Sequence, residues 1–346
     1  MARLKPDGRA WAVARRSLVL VLATWLVLSA GVAQARQHKK HRNDEPAAEQ
    51  ACTAPETASY SGPIFDAMAQ TDQGLDEEAT IAAARSVGVA CMALFARVYK
   101  HQDGRGLVNR MAAAHPDFVV VGAPKLFDMR GDLGSSYVEE VLSGVAAHRY
   151  AFIGEILYTH GDKTSGEITA TGERYIDPLR PLTARLIERL KGRHVPIMAH
   201  WEVYDWSRDR PKFDTLYATY PDQIFIWPHL GFGTAAQVAA VLEAHPNVWG
   251  TVSKRERAND IFVDAQKAGA IGGAAVDPCG NVLPEWRRLM ERFSDRLMFA
   301  TDAHRSERWD HYTKIVARWR MILGQLPPNV AKAIAYDNAA RLYSPQ

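Results

Sequence analysis

Residues 223–253 read QIFIWPHLGFGTAAQVAAVLEAHPNVWGTVS, and this stretch decides the fold. Its two ends, QIFIWPHLG and NVWGTVS, are short apolar runs of the kind that form buried strands. Between them, TAAQVAAVLEAH has the apolar spacing of a helix. Strands that alternate with helices in this way indicate a parallel sheet.

The same alternation extends from Pro63 to Arg305. Further strand candidates are PIFDAMA, ACMALFA, FVVVGAP, FIGEILY, VPIMAHWE and LMFATDAHR, which brings the total to eight. Eight such units over about 250 residues predict an α/β fold of the TIM type, a (β/α)8 barrel, rather than a doubly wound sheet. No G-x-G-x-x-G motif follows the first strand, which also disfavours a dinucleotide-binding fold.

The first 35 residues differ from the rest of the chain. Five basic residues precede or flank the apolar run SLVLVLATWLVLSAGVA, and Ala33-Gln34-Ala35 follows it. A basic region, a short apolar region and an A-x-A site predict a signal peptide at 1–35, cleaved on export. A membrane anchor is the alternative, because the apolar run approaches the length of a membrane span. Cleavage predicts a periplasmic or secreted protein with no stable membrane insertion.

Polar residues dominate 36–61, which predicts a disordered linker ahead of a single barrel domain at 62–346. Without residues 1–35, 37 basic residues stand against 38 acidic ones, a net charge of −1. No basic surface is left to indicate nucleic acid as a partner. Three cysteines cannot form a disulfide framework, and although one bridge is open to an exported protein, their spacing favours none.

Polar residues occur late in four of the predicted strands. Glu155 lies in FIGEILY, His200 ends VPIMAH, His229 follows FIWP, and Asp302 ends LMFATD. In TIM barrels the carboxyl ends of the strands surround the active site, so these side chains are expected to converge there. A single buried polar residue is usually part of a satisfied core, but four on four strands favour a common site.

Two imidazoles and one or two carboxylates suit Zn²⁺ or a similar divalent ion with an open coordination position. Such an ion activates water and polarises a carbonyl group, while a neighbouring aspartate accepts the proton. The residues themselves therefore predict a metal-assisted hydrolase, or a lyase that uses the same water.

The motifs resemble those of the amidohydrolase superfamily, in particular its amidohydrolase-related branch (amidohydrolase 2). PIMAH resembles the fifth-strand histidine motif, FIWPHLG the sixth-strand HLG motif, and LMFATDAH the eighth-strand motif. GEI at 154–156 resembles a fourth-strand carboxylate, and AYDNAARLY at 335–343 the C-terminal helix. The resemblance covers residues 63–343 and implies a barrel hydrolase, lactonase or decarboxylase.

One motif departs from the family pattern. The first strand of the family ends in a His-x-His pair, whereas FDAMAQ places Met68 and Gln70 at those positions. A thioether and an amide oxygen are poor ligands for these ions. The resemblance then implies one divalent ion, with Zn²⁺ preferred, on Glu155, His200 and His229, with Asp302 as general base and a further potential ligand.

Two alternatives stay open. In the first, no metal is bound and Asp302 activates water while His200 and His229 stabilise the oxyanion, as in a lactonase or decarboxylase. In the second, the barrel binds a ligand without catalysis. His160, just after the fourth strand, is a spare ligand or acid.

Other residues near the strand ends are candidates for binding a small-molecule substrate such as a lactone, an amide or an aromatic acid derivative. Aromatic and cationic side chains there would stack on a ring or pair with a carboxylate. The candidates are Lys125, Trp201, Glu202, Lys254, Arg255, His304 and Arg305. Core packing of the tryptophan and salt bridges on a solvated rim are the alternatives. The sequence leaves a monomer and a homo-oligomer equally open.

Overall fold

The computed structural model describes residues 53–71, 74–99, 102–126, 134–160, 174–256, 273–304 and 306–343. Eight strands pair in parallel and in chain order. They are β1 (Ile64–Thr71), β2 (Val89–Tyr99), β3 (Val119–Leu126), β4 (Phe152–His160), β5 (Ile197–Trp201), β6 (Phe225–Trp227), β7 (Val248–Thr251) and β8 (Leu297–Met298). Two-residue strands at Gln102–Asp103 and Arg174–Tyr175 pair antiparallel with the ends of β2 and β4. All eight predicted strands are confirmed.

Helices connect most of the strands. They are α1 (Glu77–Ser86), α2 (Arg105–Ala114), α3 (Ser135–Ala146), α4 (Pro181–Leu190), α5 (Trp206–Thr219), α6 (Ala235–Ala244), α7 (Pro284–Arg292), α8 (Ser306–Asp310), α9 (Tyr312–Leu323), α10 (Pro328–Lys332) and α11 (Asn338–Tyr343). Local sequence fixes several starts: Asp76 accepts from the Ala79 amide, and Thr234 forms a capping box with Gln237. Proline opens α4, α7 and α10, where its missing N–H costs nothing.

Backbone hydrogen bonds close the sheet into a ring. The segment that follows β8 runs beside β1, with Ala67 N bonded to Phe299 O at 3.0 Å and Asp302 N to Met68 O at 2.9 Å. A third bond joins Gln70 N to Ala303 O at 2.7 Å. Closure leaves the barrel without exposed edges, and the fold is a TIM-like eight-stranded parallel barrel in a single domain.

The barrel interior is filled by apolar side chains. All eight residues of β1 are buried, as expected for a strand covered on both faces. Met68 is fully buried and packs with Phe95, Met198 and Met298 inside the ring. Helix α11 packs against the end of the barrel that is opposite to the carboxyl ends of the strands. There the Tyr343 hydroxyl donates to Ala67 O at 2.9 Å, and the Tyr343 ring contacts Phe152. Met68, which stands where the family motif has its first histidine, is therefore a core residue.

The segment before β1 is attached to the barrel. Residues 53–61, predicted as the end of a disordered linker, contain no helix or strand, but Tyr60 N donates to Arg320 O at 2.9 Å and Arg320 donates back to Tyr60 O. Asn281 donates to Thr53 O at 2.9 Å. The predicted signal peptide and residues 36–52 lie outside the described residues.

The described cysteines have different states. Cys279 is disulfide-bonded, so one bridge forms although the cysteine spacing favoured none. Cys91 is a half-buried free thiol. No helix within the described ranges has both the length and the apolar composition needed to cross a bilayer.

Candidate active site

The four predicted site residues meet at one end of the barrel, with Glu155 inside β4, His200 near the end of β5, and His229 and Asp302 beyond the ends of β6 and β8. His200 Nδ1 lies 2.5 Å from Glu155 Oε1, and His229 Nε2 lies 3.5 Å from the same oxygen. Asp302 Oδ2 is 3.7 Å from His229 Nε2. All four side chains are buried. The convergence predicted from strand-end positions is thus present in the structure, while the roles given to these residues stay predictions.

Glu155 and His200 are held by regular strand geometry. Side chains alternate between the faces of a strand, so His200 shares the inner face of β5 with Met198, which packs inside the ring. Gly154 allows the close approach of β3 that brings Glu155 into place, since a Cβ at this position would lie 2.3 Å from Ala123 O.

His229 lies in a strained turn rather than on a strand. The strand ends at Trp227, and the following turn places His229, Leu230, Gly231 and Phe232 at φ of 56°, 51°, 59° and 56°. Left-handed backbone costs a non-glycine residue about 1–2 kcal/mol, so neighbouring groups must stabilise the turn. The sequence pattern suggested a histidine at the end of a strand, but the turn is what aims its ring at the site.

Arg255 stabilises this turn. Its side chain is fully buried and donates to His229 O at 3.1 Å, to Gly233 O at 2.9 Å and to Gly273 O at 2.8 Å. Burial lowers its pKa to about 9. The expected position was at the mouth, where a guanidinium would bind substrate, but these contacts place it beneath the turn. Sequence reasoning could not foresee this, because each of the three carbonyls is 18 to 26 residues away from Arg255 in the chain.

The ring of His229 is fixed from its other edge. Its Nδ1 lies 2.8 Å from Ser253 Oγ, and its backbone N–H donates to Thr251 Oγ1 at 3.1 Å. Burial lowers the pKa of His229 to about 4, so the ring is neutral at physiological pH. With Nδ1 bonded to the hydroxyl, Nε2 faces Glu155 and Asp302 and can bind an electrophile. Sequence reasoning missed both hydroxyl residues, although Thr251 ends β7 and Ser253 follows it by two residues.

Gln70 occupies the space between the two carboxylates. Its Nε2 donates to Asp302 Oδ1 at 2.6 Å and to Glu155 Oε2 at 3.2 Å. Its Oε1 is buried without a hydrogen-bond partner among the described residues. The departure from His-x-His therefore replaces one potential metal ligand by a core methionine and the other by a donor that links the site carboxylates.

Two lysines neutralise the same carboxylates. Lys125 contacts Glu155 Oε2, and Lys254 Nζ lies 2.6 Å from Asp302 Oδ2. Burial alone would raise the pKa of Glu155, but Lys125 and His200 outweigh it and hold the pKa well below the usual range. Burial would likewise raise the pKa of Asp302, and Lys254 with His304 and His229 holds it below. Both carboxylates are ionised at neutral pH.

His200 stands between two carboxylates. Its Nε2 lies 3.1 Å from Glu202 Oε1, while its Nδ1 contacts Glu155. Burial lowers the pKa of His200, but the two carboxylates outweigh burial and raise it. His160, at the end of β4, stacks on His200 with ring centroids 5.5 Å apart. Glu202, predicted as a substrate ligand, thus contacts a site histidine from the side away from Glu155.

The remaining substrate candidates lie in different places. His304 is partly buried, and its Nδ1 lies 3.5 Å from Asp302 Oδ2. Trp201 is fully buried between Trp227 and Phe213, with ring centroids 4.6 and 4.5 Å away, so it packs in the core and not at the expected mouth surface. It points to the opposite face from His200, as strand alternation requires. Arg305 lies outside the described residues.

Asp66 positions the segment that carries Asp302. Its carboxylate accepts from the backbone N–H and the hydroxyl of Thr301, at 2.9 and 2.6 Å, and from the Tyr312 hydroxyl at 3.0 Å. Burial raises the pKa of Asp66 to about 6. A buried carboxylate in the middle of β1 was the signal in the sequence that reasoning about strand ends overlooked.

The inner group, defined as Glu155, His200 through Nδ1 and His229, could hold a metal ion. One ligand atom from each residue lies within 4.8 Å of the others, and two imidazoles with a carboxylate are a common donor set for catalytic zinc. The unpartnered Oε1 of Gln70 adds a nearby oxygen. The 2.5 Å contact between Glu155 and His200 must open for both to bind one ion, since ligands about 2.0–2.1 Å from a tetrahedral centre stand farther apart. The residues fit an ion of this class.

The fold and the site together define a TIM-barrel protein of the class whose histidines and carboxylates converge at the carboxyl ends of the strands. The chain belongs to the amidohydrolase family: the family model Amidohydro_2, described as Amidohydrolase, matches residues 166–344. This family includes hydrolases and decarboxylases. Among curated proteins none matched this sequence.

Three solved structures are similar to this chain at low identity, and the first two show the same fold. An uncharacterised TIM-barrel protein from Bordetella bronchiseptica is 15% identical, with a TM-score of 0.52 over 77% of this chain and 81% of that one. A probable 2-pyrone-4,6-dicarboxylic acid hydrolase from Acinetobacter baumannii, with citric acid bound, is 9% identical, with a TM-score of 0.50 over 81% and 98%. A 2,6-dihydroxybenzoate decarboxylase from Rhizobium is 12% identical, with a TM-score of 0.48 over 82% and 98%.

Proposed function

We propose that the protein is an exported hydrolase that adds an activated water to the carbonyl group of a lactone, an amide or an aromatic acid derivative. The observation that carries the proposal is the arrangement of the inner group with Asp302, whose Oδ2 lies 3.7 Å from His229 Nε2. Ligands and a base within reach of one point are what water activation requires.

The ion would be a single divalent cation, with Zn²⁺ best suited to the donor set. When bound, it would supply Lewis-acid chemistry, lowering the pKa of water toward about 7 and polarising the substrate carbonyl. Neutral His229 would present the lone pair of Nε2 to the ion in the tautomer whose Nδ1 proton is donated to Ser253 Oγ.

Asp302 is the proposed general base. It is ionised, buried and held in a left-handed conformation at φ 48°, which fixes its direction. Lys254 Nζ lies 2.6 Å from Asp302 Oδ2. Asp302 would accept the proton of the water and pass it on, and the nearby ammonium group would reduce the change in local charge at each step. His304 Nδ1 donates to the backbone oxygen of Asp302 at 2.7 Å, which fixes the ring beside this carboxylate and leaves Nε2 as the nitrogen that could take up a proton for a leaving group.

A metal-independent reaction is the second candidate, and a specific observation favours it. Each carboxylate already has one ammonium group and one amide donor beside it. Lys125 and Gln70 contact Glu155. Lys254 and Gln70 contact Asp302. In that reaction Asp302 activates water for attack on the carbonyl, with His200 and His229 as oxyanion donors. If the reaction is a decarboxylation, the bond between carbon and the substrate carboxylate breaks, carbon dioxide leaves, and a proton from a site imidazole takes its place on the carbon.

Export is proposed from the predicted signal peptide at 1–35. The disulfide at Cys279 supports it, because disulfides persist in oxidising compartments. Mass determination of the protein recovered from the periplasm or medium would give the cleavage site, and a cytoplasmic full-length chain would contradict export.

Metal analysis with a substrate screen tests the reaction. Purified protein should contain about one divalent ion per chain, and chelation should remove the ion and activity together. Full activity in metal-free protein would select the second candidate. In either case Asp302→Asn should lower kcat by about 10²–10⁴, whereas Asp295→Asn, an exposed control with a 70% exposed side chain, should not. Turnover of lactones and amides that is independent of Asp302 would sink both candidates.

A further inference from the structure

We infer that the barrel mouth contains a second divalent-cation site, formed by His160, the Nε2 edge of His200 and Glu202. This outer group lies across His200 from the inner group and shares only that residue with it. The inference concerns cation binding alone and does not depend on the proposed hydrolase activity.

The geometry of the outer group meets the requirements of a metal site. One ligand atom from each of its three residues lies within 4.8 Å of the other two. His200 Nε2 and Glu202 Oε1 are 3.1 Å apart, and the His160 ring stacks on His200 at an interplanar angle of 27°. Two imidazoles and a carboxylate form the same donor set as in the inner group.

The outer group is enclosed by protein at Glu202 and His200 and is partly exposed at His160. Glu202 and His200 are 0% and 3% exposed, so two ligands are preorganised in the protein interior. His160 is only partly buried, which leaves an approach for the ion and for a water ligand. A buried carboxylate against a histidine is expensive to desolvate unless a cation or a proton balances it. A proton on His200 Nε2 can balance Glu202, and an ion in the outer group would take the place of that proton between the same two atoms.

Sharing of His200 makes the two groups alternatives. A neutral imidazole has a lone pair on one nitrogen and a proton on the other. An ion in the inner group takes the Nδ1 lone pair, and the proton on Nε2 is donated to Glu202. An ion in the outer group takes the Nε2 lone pair, and the proton on Nδ1 is donated to Glu155. Each carboxylate is thus a ligand in one state and a hydrogen-bond acceptor in the other.

Two consequences follow from this sharing. The imidazole need not change its net protonation when the ion moves between groups. Simultaneous occupancy requires loss of the second ring proton, so the two groups compete near neutral pH, and binding of a second ion would release one proton per chain.

A matched pair of substitutions separates the groups. His229→Gln removes a ligand of the inner group only, and His160→Gln removes a ligand of the outer group only. With Co²⁺ as the probe, visible absorption and metal content per chain should show that each single variant binds one ion, with different spectra. The double variant should bind Co²⁺ more weakly than either by roughly 100-fold or more.

A ring-nitrogen measurement reports the position of the ion directly. In ¹⁵N-histidine-labelled protein with Zn²⁺, the metal-bound nitrogen of His200 should be Nδ1 in His160→Gln and Nε2 in His229→Gln. Circular dichroism of the metal-free variants confirms folding, and Glu155→Gln replaces His229→Gln if that variant does not fold.

The outcomes distinguish the outer site from the proposed function. If His229→Gln and Glu155→Gln bind Co²⁺ no better than the double variant, the outer site is wrong. If His160→Gln binds no ion while His229→Gln does, the outer site holds and the inner metal centre fails instead.

Discussion

The amide nitrogen of Gln70 lies 2.6 Å from Asp302 Oδ1 and 3.2 Å from Glu155 Oε2, so one neutral side chain joins the two acidic residues of the site. An amide donor between two carboxylates relieves their repulsion without adding charge. Met68, two residues earlier, is buried in the core. At the two positions where the family pattern has metal-binding histidines, the first strand of this protein therefore has a core methionine and an amide that donates hydrogen bonds. Hydrogen bonds and ion pairs with neighbouring side chains hold the two acidic residues of the site in place.

Substitution of Gln70 tests this arrangement. Gln70→Glu places a third carboxylate between two others, and we expect the metal-free protein to lose about 1–3 kcal/mol of unfolding free energy. A divalent ion should restore stability to this variant more than to the wild type, since the new carboxylate adds a ligand. Denaturant unfolding with and without Zn²⁺ measures both effects. Gln70→Met is the matched control that removes the donor without adding charge, and equal stability of the Glu variant and the wild type would contradict the linking role.

Lys254 controls the protonation of Asp302. Its ammonium is the strongest influence that opposes burial and holds the pKa of Asp302 low. Removing this positive charge in Lys254→Met must raise the pKa of Asp302, so the acid limb of kcat/KM should move to higher pH by about 1–3 units. The pH profile and the ¹³C chemical shift of the Asp302 carboxyl measure the change. Lys314→Met, at an exposed lysine on α9, is the control. An unmoved acid limb would mean that Asp302 is not the base.

Arg255 holds the turn that carries His229. Lysine keeps the charge but cannot reach the separate carbonyls of His229, Gly233 and Gly273 with one ammonium group. We expect Arg255→Lys to lower the unfolding free energy by about 2–4 kcal/mol. It should also weaken binding of Co²⁺ by the inner group by about tenfold or more. Thermal unfolding and Co²⁺ titration measure the two effects, with Arg292→Lys on the surface of α7 as control. A loss of stability with unchanged Co²⁺ affinity would limit Arg255 to a structural role.

Periodicity in the sequence was sufficient for the barrel, and polar residues late in the predicted strands were sufficient for the convergence of four side chains. Apolar runs predicted all eight strands, because strands buried on both faces tolerate few polar residues. Glu155 and His200 were recognisable as site candidates because polar residues are rare in such buried strands. Alternation along β5 would also have placed Trp201 on the outer face, opposite to His200, and this signal was available but not used.

Irregular backbone limited the prediction at other positions. Lys254 and Arg255 are neighbours in sequence, yet the first contacts Asp302 and the second lies beneath the turn at 229–232. Lys254 has a left-handed φ of 59°, and no pattern in the neighbouring sequence predicts this backbone conformation. The strained residues His229 and Asp302 share this property, and tertiary contacts, including those of Arg255 and Asp66, maintain it.

Asp66 gives the protein a pH-dependent stability that can be isolated. Its pKa is about 6 in the folded protein, against 3.8 for an ordinary aspartate. The folded state therefore holds the proton more tightly, and the contribution of Asp66 to stability is complete below about pH 4 and is lost as pH rises through 6. Linkage gives a total loss of about 3 kcal/mol, of which about 2 kcal/mol falls between pH 4 and pH 6. The unfolding free energy of the wild type should thus fall relative to that of Asp66→Asn between pH 4 and pH 6. Denaturant unfolding at half-unit pH steps measures the difference, with Asp295→Asn at an exposed position as the control. A difference for Asp66→Asn that does not change with pH would show that Thr301 and Tyr312 stabilise the ionised carboxylate fully and that burial does not raise its pKa.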